Sequence, residues 1–346
     1  NSITTIGREA FYSCGNLSVV NIGNGVTTLE DKCFASCPML TEVNYNASQA
    51  VVVRYNTTDG SNYPFTGCGS SSGGVKVKIG PDVKSIPRYL FHQPSLNPSR
   101  SAITELDFTD AVNCTQIGSS AFNLCNIQSL KLNGSIKTID SSAFASNYII
   151  ETLELPEGLE TLAISAFESW KNLTTVSIPS TLKNVIGAFR YSNKLTNFNI
   201  APNSRFVFEN GTLIDTTTMQ VVFGTSTATI TDNIGSIANY SFAGCIDLNS
   251  IYLPSNITYL GTDTFAGCSN LSSIVFEEGV TLIGSQCFYQ CTNLVEIDLP
   301  DTLQRVETNA FGQSGIVKLV FPEATNNFGL NVEKFSCCKL PILHLL

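Results

Sequence analysis

Charge is scarce in this chain. Only 14% of its 346 residues are Asp, Glu, Lys or Arg. Lys and Arg number 19 against 28 acids, a net charge of −9, so the clustered cations that grip nucleic-acid phosphates are missing. Two histidines and one tryptophan leave little for histidine-based catalysis or metal ligation. No apolar run approaches the roughly 20 residues of a membrane helix. No G-x-S-x-G, H-E-x-x-H or phosphate-loop pattern occurs. Apolar residues make up 43%, which is enough for a core and too much for a disordered chain.

Phenylalanine recurs. It stands at 11, 34, 91, 122, 144, 167, 189, 242, 265, 288, 311 and 335, and eight of the eleven steps are 22 to 24 residues. Apolar residues follow each Phe at fixed offsets. Leu17, Leu173 and Leu271 lie six residues on, and Val20/Ile22, Leu153/Leu155 and Ile274/Phe276 lie nine and eleven on. Proline often follows, as Pro156, Pro179, Pro254 and Pro300. The consensus is A-F-x-x-C-x-x-L-x-x-I-x-L-P-x-x-[VL]-x-x-[IL]. The I-x-L alternation puts two side chains on one face of a short strand, and proline ends it. The three-residue spacing elsewhere suits a turn or 3₁₀-like segment. One such unit cannot bury its own apolar stripe, so successive units must stack and share a core.

Runs such as Ala243-Gly244-Cys245-Ile246-Asp247-Leu248-Asn249-Ser250-Ile251-Tyr252-Leu253-Pro254, and Phe265 to Phe276, resemble the leucine-rich repeats of the BspA-like, or Treponema pallidum, type. The expected fold is a β-rich α/β solenoid: a right-handed coil with one parallel strand per repeat and about 12 repeats. Residues 1–346 are expected to form a single solenoid, with hairpin or loop insertions at 46–80, 92–102 and 201–233. Asn210-Gly211 between apolar runs signals a hairpin. Both ends read as cut within or just after a repeat. The resemblance implies an extracellular or cell-surface protein that adheres to a matrix protein, a glycan or another cell. Cofactors, nucleic acid and a membrane span are not expected, and the oligomeric state is open.

Twelve cysteines invite a disulfide scaffold or a zinc site. Register argues against both. Cys14, Cys37, Cys125, Cys245, Cys268, Cys291 and Cys338 all stand three residues after Phe, with parallel Cβ vectors poorly placed to bridge. They are expected to form a buried ladder, with Trp170 and Pro94 breaking its pattern. Cys68, in a Gly/Ser-rich loop, is the candidate reactive thiol.

The residues eight and ten after Phe point away from the core. The candidate binding face takes Glu154, Thr175, Ser177, Tyr252, Glu296 and Asp298 from them. Tyr252 is the aromatic anchor. Glu296 and Asp298 share a strand face, as a glycosidase pair would, but two acids on an open sheet are ordinarily just solvated. The expected function is non-catalytic binding. The alternative is a passive spacer that presents another domain.

Overall fold

The computed structural model describes residues 2–54, 62–93 and 103–320. Phe335, Cys337, Cys338, His344, Pro94, Pro98 and most of the 92–102 insertion lie outside them. The chain is a parallel β-solenoid of about 13 turns, with no helix among the described residues. It divides into two compact units, residues 1–189 and 190–346.

In the first unit the I-x-L segments form parallel strands in chain order. Val19–Ile22, Glu42–Tyr45, Val75–Ile79, Ile103–Asp107 and Ser129–Lys131 make one sheet. Thr152–Glu154 then pairs with Thr175–Ile178. Alternation decides which side is buried: Val20 and Ile22 face inward, while Val19 and Asn21 face out. The segment expected as a turn carries a second, very short strand. Thr28–Glu30 lies between Thr5–Ile6 and Val51–Val53, and Gln116–Ile117 between Ser85–Ile86 and Thr138–Ile139. Stacking lends these residues partners on both sides, so even two-residue stretches pair.

Between the two strands the Phe rings line the core, with Phe11 of the first coil still exposed. Phe11, Phe34, Phe65, Phe91, Phe122, Phe144, Phe167 and Phe189 stack in order, with centroids 4.8 to 5.6 Å apart. Burying one such ring contributes about 1.5–3 kcal/mol. Each stacked contact adds about 0.5–1.5 kcal/mol. The backbone reverses around the ring through two left-handed residues, two before Phe and two after, as at Ser142 and Ser146 or Ser165 and Ser169.

Phe65 corrects the expected insertion at 46–80. Its ring lies between those of Phe34 and Phe91, and Val75–Ile79 sits in the sheet between Glu42–Tyr45 and Ile103–Asp107. These residues are a coil of their own with lengthened loops. Cys68 is therefore the residue three after a core Phe. It is 1% exposed, and its thiol donates to the Phe34 carbonyl at 3.0 Å. Burial pushes its pKa well up, so the expectation of a reactive loop thiol does not hold.

The second unit opens with the hairpin that Asn210-Gly211 signalled. Phe206–Glu209 pairs antiparallel with Thr212–Asp215, across a turn in which both Asn210 and Gly211 have positive φ. Gln220–Gly224 continues the sheet, then pairs parallel with Ser236–Ile237. Gly224 stands in the Phe register. Its amide donates to Ser241 O at 2.8 Å, and a Cβ there would fall 2.0 Å from the Phe242 ring. Regular coils follow. Ser250–Leu253 pairs with Ser273–Phe276, Glu296–Asp298 with Lys318–Val320, and Phe242, Phe265, Phe288 and Phe311 stack at 5.0 to 5.4 Å.

Candidate binding face

The outward residues of the I-x-L strands form a broad face in each unit. In the first unit Glu154 lies opposite Ser177, and Thr152 opposite Thr175. Glu154 is exposed, while Thr175 and Ser177 are half-buried. Earlier in the same unit charges alternate across the coils. Glu42 meets Lys78 at 3.3 Å, Lys76 meets Glu105 at 2.9 Å and Lys131 meets Asp107 at 3.3 Å. The Asn44 amide bridges Asn21 and Glu42, at 2.8 Å each. It lowers the Glu42 pKa, with Lys78 assisting, while Thr109 and then Lys131 lower that of Asp107. These groups satisfy one another laterally. Lys76 and Lys78 were legible as outward positions of the Val75-Val77-Ile79 alternation. They were missed because the Phe65 coil was.

Along the strand starts, the residue seven after Phe bears a hydroxyl that donates to the coil before. Thr41 reaches Ser18 O at 2.9 Å, Thr174 reaches Glu151 O at 3.0 Å, and Ser272 reaches Asn249 O at 3.2 Å. This ladder accounts for much of the Ser and Thr in the consensus.

The second unit departs from that polar rule over residues 250–318. Val295 and Val317 take the hydroxyl column and are 48% and 54% exposed. On the outward column Tyr252, 44% exposed, lies opposite Val275, 52% exposed. The Tyr252 hydroxyl donates to the Glu277 carboxylate, which also accepts from the Ser255 amide at 2.9 Å. Glu277 beside it pushes the Tyr252 pKa up to about 12, and the two donors pull that of Glu277 down. The ring is thus held in place while remaining open to solvent. Glu296 and Asp298 are exposed on the neighbouring strand, with Glu296 ion-paired to Lys318. That pairing ties up one carboxylate of the supposed hydrolytic pair. The face has apolar side chains flanked by charge, on the outward side of parallel strands.

Of the seven ladder cysteines, Cys37, Cys125, Cys268 and Cys291 are buried, Cys14 and Cys245 are half-buried, and Cys338 is not described. All ten described cysteines are free thiols. No group of three His, Cys, Asp or Glu is placed to hold a metal ion, and no helix is long and apolar enough to cross a membrane, among the described residues.

The model of the BspA type leucine rich repeat region matches residues 1–97, 99–219 and 212–340. The chain belongs to that family. Among solved structures it is similar to the pneumococcal vaccine antigen PcpA, with 20% identity and a TM-score of 0.66, over 91% of this chain and 75% of that one. It is also similar to a leucine rich cell surface protein from Faecalibacterium prausnitzii A2-165, with 19% identity and a TM-score of 0.56, over 89% and 82% of the two chains. At these identities the likeness concerns the fold. No curated protein matches the chain.

Proposed function

We propose that the protein is a non-catalytic binding module, displayed on a cell surface or secreted, that adheres to a host or microbial protein or glycan. The contact surface is the strand face of residues 250–318. One observation carries this reading. Tyr252, Val275, Val295 and Val317 stand exposed where the other coils place mainly hydroxyl, amide or charged side chains. Exposed apolar groups destabilise nothing by their absence, so their concentration on one face favours a partner that covers them. Glu154, Thr175 and Ser177 supply a polar strand surface in the first unit. The surface location rests on family membership and on the neighbours, one described as a cell surface protein and one as a vaccine antigen.

The test is binding of the purified chain to an array of matrix proteins and glycans at two salt concentrations. Saturable binding that weakens about tenfold on Tyr252→Ala, with the far-UV spectrum unchanged, supports the proposal. Weakening at high salt implicates Glu296 and Asp298 as well. No saturable binding to any ligand overturns it and leaves the spacer.

A further inference from the structure

A second cluster stands apart from the strand residues. Tyr63 and Tyr89 hold the position two before Phe in consecutive coils, and their rings lie 5.7 Å apart. The Arg54 guanidinium lies over both, 4.4 Å from the Tyr63 centroid and 5.3 Å from that of Tyr89. Arg88 approaches Tyr89 as well, at 5.9 Å. His92 completes the group, 4.1 Å from Tyr63 and 5.9 Å from Tyr89.

Three features mark this cluster, two of which recur where the Arg190 guanidinium lies over Tyr191 and Tyr240. First, Arg8, Arg205 and Arg305 each pair with a carboxylate, but among the described residues Arg54 and Arg88 do not. Two unpaired guanidiniums within 6 Å of one ring, in a chain of net charge −9, concentrate positive potential locally. Second, Arg54 Nε and His92 Nδ1 are buried without a hydrogen-bond partner, which is costly. Third, Tyr89 is held at φ 64°, as Tyr240 is at φ 66° in the same position, where most other coils use a smaller or flexible polar residue such as Ser120, Ser142 or Asn309. A bulky ring in that conformation costs free energy, and such departures mark functional positions. Burial, and then the Arg54 charge, lowers the His92 pKa to about 4, consistent with a positive environment. Arg88 is exposed and Tyr89 half-buried, so the cluster reaches the surface.

We infer that Arg54, Arg88, Tyr89 and His92 form a binding site for the oxyanion of an acidic sugar, one bearing sulfate or carboxylate. The guanidiniums match the geometry of such an oxyanion. The half-buried Tyr89 ring offers an apolar surface to the sugar, with His92 packed against it. This site rests on none of the residues 250–318, so it stands or falls independently of the strand face.

The test is isothermal titration at low salt with glucose 6-sulfate, glucuronate, glucose and sodium sulfate. Glucose 6-sulfate or glucuronate should bind saturably and glucose should not. Arg54→Gln should weaken binding about tenfold, and Arg88→Gln at least about threefold. Arg88 is exposed, so its variant tests the site even where Arg54→Gln fails to fold. Equal affinity for sodium sulfate would assign the site to the free ion and overturn the sugar. Binding unchanged in Arg88→Gln, or no binding by the folded wild-type chain, would overturn the site altogether.

Discussion

The indole nitrogen of Trp170 donates to the carbonyl of Phe144 over 2.6 Å. Trp170 stands three residues after Phe167, the position that most often holds cysteine. The cysteines do the same with sulfur: Cys37 donates to Phe11 O, Cys125 to Phe91 O, Cys268 to Phe242 O and Cys291 to Phe265 O, all at 3.2 to 3.3 Å. Where proline takes the position, Gln93 reaches the Phe65 carbonyl instead, at 3.2 Å. The common requirement is a donor from the next coil for the buried carbonyl of the core Phe. Cysteine meets it with a small side chain that is apolar enough to bury.

That requirement fixes the effect of removing the donor. Trp170→Phe should destabilise the chain by about 2 kcal/mol, from loss of one of the two donors to the Phe144 carbonyl, the Asn147 amide at 2.6 Å being the other, plus a packing defect. Cys268→Ser keeps a donor of similar size and should cost less than Cys268→Val, which removes it. Urea unfolding of the three variants measures the order. Equal loss in Cys268→Ser and Cys268→Val would show that the thiol acts by packing alone.

Most of these thiols should be chemically silent in the folded state; the exception is Cys37, whose pKa the hydrogen bond with Cys68 lowers to about 7. Burial raises the pKa of Cys33, Cys245 and Cys291 to about 12, and that of Cys114 to about 11. Thiolate is the reactive form, so a disulfide reagent at pH 8 should modify few sites in the native chain. All 12 should react in denaturant. A denatured count near zero would instead mean disulfides.

Much of this architecture is legible in the sequence, because a stacked repeat writes its core as a period. Phe spacing located the coils, and I-x-L marked the strands with their buried and outward sides. What the period hid has physical causes. Phe65 follows Phe34 by 31 residues and is preceded by Pro64 rather than Ala, so its coil reads as a loop. The second strand escapes notice because two residues carry no alternation, and only stacking supplies their partners. Tyr252 was visible as an outward aromatic, but Glu277, 25 residues on, becomes its partner only through the coil geometry. Arg54, Tyr63, Tyr89 and His92 share no motif. They are neighbours because the Phe65 coil brings them into adjacent turns.

The left-handed residues beside each Phe offer a direct stability test. Ser169 has φ 59°, at the position held by Gly67, Gly244 and Gly267 in other coils. Ser169→Gly should relieve about 1 kcal/mol of backbone strain, partly offset by the freer unfolded chain, and raise the melting temperature slightly. Gly244→Ala should do the reverse by more than 1 kcal/mol, since its Cβ would fall 2.5 Å from Tyr191 Cα. Thermal melts of both decide the point, and a stabilised Gly244→Ala would contradict the assigned backbone.

Acid should weaken the fold in two separate windows. His92 ordinarily titrates near 6.5, and burial followed by the Arg54 charge brings it to about 4 in the folded chain. A group whose folded pKa is lowered stays neutral in the fold and is protonated first in the unfolded chain. Its contribution is therefore complete above pH 6.5 and is lost as pH falls from there towards 4. The loss should be on the order of 2 kcal/mol. The lowered carboxylates, among them Glu42, Asp107 and Asp215, lose their contribution only at lower pH, through their own folded values. Urea midpoints at pH 7.0, 5.5 and 4.5 isolate the first window. His92→Phe should flatten the slope between those pH values and leave the steeper loss below pH 4 intact. Identical slopes in the variant and the wild type would show that His92 is not the group responsible.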